Sequence, residues 1–342
     1  MHLCHADRVP GGPHRESLEL AFRRPFNPGN LFGHLAATAV PGVEEVRAGA
    51  YRRTLRLTHG PAIAELTPRD DHVACRLILT TADDLDAAIS RCRWLLDLDA
   101  RPSVIDGHLA RDPILASLVT AAPGRRIPRS VDGPELAIRA VLGQQVSTAA
   151  ARTLAARLTV TFGEPISDRD GGLTHLFPTP ESLRHARLAG PASRGRTLIA
   201  LASALASGDL MTGPGANVGE ARAVLAGLPG IGPWTTEVIA MRALDDGDAF
   251  PASDLGVKRA AEALGLPATP GALIRRSREW APWRAYAVQY LWATLPHSIN
   301  VWPPPAPPPP PAPPPPPAPD SDPDSDPVRG TSAGRRRPDP IA

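Results

Sequence analysis

Leu228-Pro229-Gly230-Ile231-Gly232-Pro233-Trp234-Thr235-Thr236 decides how this chain is read. A helical run from Glu220 to Ala226 stops at a turn rich in glycine and proline. A second helix starts at Pro233, where a missing N–H costs nothing because first-turn donors have no partner inside the helix. Two glycines two residues apart permit positive φ and close backbone approach. The second helix aims its unpaired N–H groups and the positive end of its dipole outward. Such a turn suits a phosphate and needs no basic side chain. A G-x-G alone would be an ordinary tight turn; the whole string between two helices says more.

Beyond Trp234 comes Phe250-Pro251-Ala252-Ser253-Asp254-Leu255-Gly256-Val257-Lys258, with Asp254 twenty residues from the tryptophan. Asp254 precedes a helical pattern (Leu255, Val257, Ala260, Ala261, Leu264), so by itself it reads as an N-cap. The positive end of a helix favours an anion there. An anion suits electrostatic stabilisation of an oxocarbenium-like sugar during glycosidic cleavage, and the two roles are compatible.

Outward from these motifs the chain divides into four parts. Residues 1–14 read as a ragged end, 15–101 as a mixed domain, 102–302 as a helical bundle and 303–342 as a disordered tail. In the mixed domain, Val73, Cys75, Leu77 and Leu79 alternate with less apolar neighbours, the period of a half-buried strand. Strands are expected at 51–58 and 72–81, with a turn at His59-Gly60-Pro61 and a short helix from Phe32 to Val40. Leu85, Ala88, Ile89, Cys92 and Leu96 have helical spacing. Past Pro102 helices are expected at 134–144, 147–160, 180–188, 194–206, 218–226, 233–243, 255–264, 270–280 and 282–294. In the last of these, Trp292 points away from the stripe of Trp283, Tyr286, Ala287, Tyr290 and Leu291. The fold class is α+β: a small antiparallel sheet with helices, then an all-helical bundle.

Composition narrows the function classes. The tail carries 18 of the 42 prolines and reads as polyproline II and coil. It is a spacer by composition, with a ligand role for proline-binding domains the other reading. Three cysteines among 342 residues make neither a disulfide framework nor a four-cysteine metal site. His2, Cys4 and His5 cluster at the terminus, but no metal site is assigned. No apolar run reaches the roughly 18–20 residues a membrane span needs. The net charge of +2 argues against a polybasic binder yet leaves room for a local basic cleft. Lys258 is the sole lysine, so a Schiff-base mechanism has one candidate, and ion pairing or phosphate contact suits it better. A soluble protein of a reducing compartment is expected.

The chain resembles the 3-methyladenine DNA glycosylase II family, the alkylated-base branch of the helix–hairpin–helix superfamily. Besides the hairpin and Asp254, the resemblance rests on Gly42-Val43-Glu44 with Tyr51-Arg52-Arg53-Thr54-Leu55, on Ala140-Val141-Leu142-Gly143-Gln144-Gln145-Val146-Ser147, on Phe177-Pro178-Thr179-Pro180-Glu181 and on Trp280-Ala281-Pro282-Trp283-Arg284-Ala285-Tyr286-Ala287. It covers about residues 16–300. It implies Asp254 as the catalytic aspartate. Trp234 and Trp292 would line the pocket of the flipped base, with Gln144, Val238 and His34 also at that pocket. Gly230, Ile231, Gly232 and Thr235 would form the phosphate-holding hairpin, and Gln145 would fill the gap left in the duplex. The implied activity is removal of cationic alkylated purines from duplex DNA by a monomer without cofactor, leaving an abasic site. Trp234 stands where bifunctional relatives carry a lysine, which implies no strand cleavage. Val238 and His34 stand where aromatic groups are expected, and polar Gln145 where an apolar wedge is. A non-catalytic DNA-binding module and a glycosylase for another lesion class are the alternatives.

Overall fold

The computed structural model describes residues 3–7, 13–186 and 191–302. Six strands open the chain: β1 (Leu3–Asp7), β2 (His14–Ala21), β3 (Glu44–Arg47), β4 (Ala50–Leu57), β5 (Gly60–Pro68) and β6 (His72–Leu79). They form one antiparallel sheet in the order β1-β2-β6-β5-β4-β3. The two expected strands correspond to β4 and β6. The other four were not expected. Leu3–Asp7, expected within a ragged end, pairs with β2 at the sheet edge. β2 does alternate, with Leu18 and Leu20 buried and Ser17 and Glu19 less so. The proline-rich tail, together with His2, lies outside the described residues.

Two helices accompany this sheet, α1 (Pro28–Thr38) between β2 and β3 and α2 (Leu85–Leu95) after β6. Then come α3 (Pro102–Leu109), α4 (Pro113–Ala121), α5 (Gly133–Leu142) and α6 (Thr148–Phe162). A two-stranded ribbon of β7 (Glu164–Pro165) and β8 (His175–Leu176) follows. The rest is helical: α7 (Pro180–Leu183), α8 (Ala192–Ser207), α9 (Val218–Gly227), α10 (Pro233–Ala243), α11 (Leu255–Ala263), α12 (Pro270–Arg276) and α13 (Arg284–Ala293). The fold is thus an antiparallel sheet with helices followed by a helical bundle. α3 and α4 were not expected. The helix expected at 180–188 shrinks to four residues, and the one expected at 270–280 tightens into a 3₁₀ turn at Ser277–Trp280. Among the described residues no helix is long and apolar enough to cross a membrane.

One core packs the sheet against α1 and α2 through Leu20, Phe32, Leu55, Leu66, Leu77 and Cys92. Cys75 and Cys92 are both buried free thiols there. The other core runs through the helices, with Val141, Leu201, Ile239, Trp280 and Leu291. Aromatic donors from the last helices reach back to carboxylates of residues 97–112. Tyr286 Oη donates to Asp97 (2.9 Å), Tyr290 Oη to Asp106 (2.6 Å) and Trp280 Nε1 to Asp112 (2.6 Å).

A buried quartet joins the sheet to α5. Arg53 donates to Glu135 (2.7 Å) and Glu44 (3.3 Å), and Arg139 donates to Glu44 (2.9 Å) and Glu135 (2.8 Å). Glu44 also accepts from Tyr51 Oη (2.5 Å) and from the Val40 amide (2.8 Å). Two guanidinium groups face two carboxylates, so the cluster is charge-balanced, and its oxygens are held by donors that offset desolvation. The quartet positions α5, whose end leads into Gly143–Ser147.

The last described segment closes over α1. A Cβ at Gly33 would lie 2.7 Å from the Ile299 carbonyl oxygen and 2.8 Å from both the nitrogen and the oxygen of Val301. Only glycine lets that backbone approach. In an open helix Gly→Ala is favourable by about 1 kcal/mol. Here the clash with backbone is expected to outweigh it, since overpacking costs about 1–3 kcal/mol. Gly33→Ala is therefore expected to lower the thermal midpoint by about 5 °C. A raised midpoint in a melting experiment would mean that the segment at 299–301 yields freely.

Candidate active site

Asp254 caps α11, its side chain accepting from the Val257 amide at 2.9 Å. The cap is only part of its surroundings. Trp292 Nε1 donates to the same oxygen, Oδ1, at 2.8 Å, and Trp234 Nε1 donates to Oδ2 at 2.8 Å. Three N–H donors thus fix a half-buried carboxylate. A carboxylate has about four acceptor positions, so about one remains, on Oδ2. Three helix ends meet here: Trp234 sits in the first turn of α10, Asp254 before α11 and Trp292 in the last turn of α13. Both indoles are half-buried. The three groups that donate to the carboxylate are neutral N–H donors.

Two residues that sequence reasoning did not single out support this arrangement. A Cβ on Gly256 would lie 3.0 Å from Asp254 Oδ1 and from Cδ1 and Nε1 of Trp292. Its absence lets the indole lie across the start of α11. The signal in the sequence was a glycine inside a helical pattern, which usually marks a packing need. Asn300 Nδ2 donates to the carbonyls of Trp292 (3.0 Å) and Leu295 (3.2 Å), closing the end of α13. Nothing in its sequence context marked it.

The hairpin lies between α9 and α10. Gly230 adopts φ +77, while Gly232 is extended at φ −101, so one of the two glycines uses the left-handed region. No side chain among the described residues caps α10 at Gly232. Arg222 of α9 pairs with Glu237 of α10 and donates to Asp246 at 2.6 Å, bracing the two helices. The expected hairpin residues divide. Gly230 is exposed and Gly232 half-buried, but Ile231 and Thr235 face inward, 8% and 2% exposed. The Thr235 hydroxyl is taken: it accepts from Gln144 Nε2 at 2.9 Å.

Gln144, expected at the base pocket, directs its amide at the hairpin, donating to the Gly230 carbonyl (3.0 Å) as well as to Thr235. The physical reason is the free carbonyl and hydroxyl that the hairpin turns toward the α5–α6 loop. Gln145 is exposed and has φ +56, uncommon for a residue other than glycine. Val238 is buried one turn along α10 from Trp234. Arg242 lies one turn further, donating Nε to the Pro128 carbonyl at 2.6 Å. Burial, and then the charge of Arg139, bring its pKa down to about 9. His34 of α1 is buried with Nε2 unpartnered. Burial, then the charges of Arg242, Arg139 and His297, hold its pKa well below the usual imidazole range, so it is neutral. Lys258 of α11 donates its backbone N–H to the Asp254 carbonyl at 3.0 Å. Among the described residues no cluster of three or more His, Cys, Asp or Glu could hold a metal.

Known proteins share this sequence and architecture. The sequence model of the AlkA N-terminal domain matches residues 17–132. A probable bifunctional transcriptional activator/DNA repair enzyme AlkA of Mycobacterium tuberculosis is 56% identical over 291 residues, 84% of this chain. The chain spans 59% of the length of that relative. DNA-3-methyladenine glycosylase 2 of Escherichia coli is 34% identical over 286 residues, covering 80% of this chain and 96% of that protein. Among solved structures, a 3-methyladenine DNA glycosylase from Archaeoglobus fulgidus has a TM-score of 0.68 at 22% identity, covering 81% of this chain and 96% of that one. This last likeness shows a shared fold.

Proposed function

Since the chain belongs to the DNA-3-methyladenine glycosylase II family, we propose that it removes alkylated purines such as 3-methyladenine from duplex DNA by hydrolysis. The observation that carries this reading is the Asp254 carboxylate, fixed by two indole N–H groups and a helix amide. The hairpin takes a phosphate at the uncapped start of α10, and the damaged nucleotide turns out of the stack. Extrusion costs a few kcal/mol and is cheapest where pairing is already weak. A purine methylated on a ring nitrogen is a cation, attracted to indole faces by about 0.5–2 kcal/mol. It is also a good leaving group, so no strong general acid is needed. As the glycosidic bond lengthens, the sugar gains positive charge and the fixed carboxylate stabilises it. Water completes the exchange, giving free base and an abasic site. No amine occupies the hairpin position, so the strand is left intact.

The test is release of free base from methylated duplex by the purified protein, with strand cleavage scored separately before alkali. Release without cleavage is the expected result. Retained duplex binding with no release would favour a binding module. The same assay examines substrate class. Hypoxanthine is neutral and gains little from the indoles, so its excision is expected to trail 3-methyladenine by about tenfold or more, the equivalent of about 1.4 kcal/mol. Comparable rates would mean that the charge of the base is not what the site selects.

A further inference from the structure

Gln144 and Arg194 hold the α5–α6 loop in a way the family reading leaves unused. The loop, residues 143–147, continues directly from α5: the Gly143 amide bonds to the Arg139 carbonyl and the Gln144 amide to that of Val141. At Gln145 the chain turns through φ +56 and sends that side chain into solvent. A left-handed residue other than glycine persists where its surroundings fix it, and here they do so twice. The Gln144 amide spends both hydrogens on the hairpin, one on the Gly230 carbonyl (3.0 Å) and one on Thr235 Oγ1 (2.9 Å). The Gln144 carbonyl accepts from Arg194 Nη2 of α8 at 3.1 Å. That carbonyl belongs to the peptide plane that carries the Gln145 nitrogen. The plane before Gln145 is therefore gripped from α8, and the residue before it is bolted to the hairpin.

α8 meets the hairpin a second time. A Cβ on Gly230 would lie 2.1 Å from Thr197 Oγ1, so the turn is seated on α8 with no room for a side chain. α8, the hairpin and the loop thus form one three-way joint around the Gly230 carbonyl.

We propose that Gln144 is a positioning residue, with Arg194 its support, that makes phosphate capture by the hairpin and insertion of Gln145 into the duplex a single event. The proposal rests on the function above and on the role the family resemblance implies for Gln145, filling the gap left by an extruded nucleotide. In this reading Gln144 acts through Gln145. A duplex bound at the hairpin meets Gln145 already at its working distance, and the loop need not be ordered during extrusion.

The test is a double-mutant cycle on binding rather than turnover. Wild type, Gln144→Met, Gln145→Ala and the double variant are titrated with a duplex carrying a tetrahydrofuran abasic analogue and with the intact duplex. Methionine keeps the length of glutamine and removes both donors without adding charge. Gln144→Met is expected to reduce the preference for the abasic duplex by about tenfold, within the range of coupling between neighbouring residues. In the Gln145→Ala background the same change is expected to cost less than about twofold. Equal losses in both backgrounds would overturn the proposal, because Gln144 would then act independently of Gln145. So would a wild type that does not distinguish the two duplexes. Should Gln144→Met melt at a lower temperature, Arg194→Met in the same cycle decides, with the same non-additivity expected. Base release is scored apart from this. A wild type that prefers the abasic duplex and shows the coupling, yet releases no base, would sink the enzymatic reading and leave the joint standing.

Discussion

Asp254→Asn is expected to slow release of methylated purine by about 10²–10³-fold while leaving duplex binding intact, the scale seen when one electrostatic stabiliser is removed from a site. The geometry makes this substitution unusually clean. An asparagine oxygen placed at Oδ1 still accepts from the Val257 amide and from Trp292. Its NH₂ then faces Trp234 Nε1, donor against donor, where Oδ2 had accepted at 2.8 Å. Helix cap and shape survive, while the charge and one hydrogen bond are lost. A charge-assisted bond is worth about 1.5–3 kcal/mol, so some local loosening of Trp234 is expected without unfolding. Single-turnover release from methylated duplex, beside binding by the same preparation, separates the two effects. A rate within a few-fold of wild type would mean that the carboxylate's charge does not act on the sugar, and the proposed chemistry would fail.

Glu44→Gln is expected to produce the largest loss of stability. Glu44 is 3% exposed and Arg53 is 2% exposed, and with Glu135 and Arg139 they balance two charges against two. Neutralising Glu44 leaves a buried guanidinium uncompensated. Breaking one partner of a buried pair costs about 3–5 kcal/mol, which in a chain of this size lowers the melting temperature by on the order of 10 °C. The pH dependence has a sign. Burial pushes the Glu44 carboxyl up, but Arg139, Arg53, Tyr51 and the Val40 amide outweigh it and hold the pKa below the usual carboxylate value. The group therefore adds stability above the unfolded carboxylate pKa, about 4.3, and loses it as pH falls through its lower folded value. Wild type is expected to approach Glu44→Gln in stability under acid and to separate from it towards neutrality. A constant gap from pH 3 to pH 7, measured by denaturant titration, would show that Glu44's charge is not what stabilises the quartet.

The hairpin and the cap were legible because each is a local decision. Pro233 and the glycines can be read within one turn of chain, and Asp254 within half a turn of the helix it starts. β6 was legible from its alternation. The meeting of Trp234, Asp254 and Trp292 was not derivable from spacing, since 20 and 38 residues of chain separate the aspartate from its two donors; only the family resemblance pointed there. Facing was the weakest part of the reading. Ile231 and Thr235 sit in the right hairpin and turn inward, because a motif gives position along the chain but not rotation about it. Gln144 and Gln145 are neighbours of identical chemistry, and one left-handed φ sends them in different directions. β3 and β5 escaped notice because the short β3 is charged apart from Val46, and Ala62 and Ala64 of β5 carry no strong alternation.

The contact of Gly33 with Ile299 and Val301 has a consequence for biosynthesis. Phe32 emerges from the ribosome nearly 270 residues before Trp302, the ring that packs on it at 5.3 Å. At about 5–20 residues per second, that interval lasts roughly 15–50 s. Throughout it, the sheet can pair its strands, but α1 lacks the segment at 299–302 that closes over it. The N-terminal layer thus waits for the C-terminal segment as a lid waits for its latch. While the interval lasts, Phe32 lacks the ring that packs on it in the folded chain. Slow codons late in the message would lengthen that interval, and slow codons early would leave it unchanged.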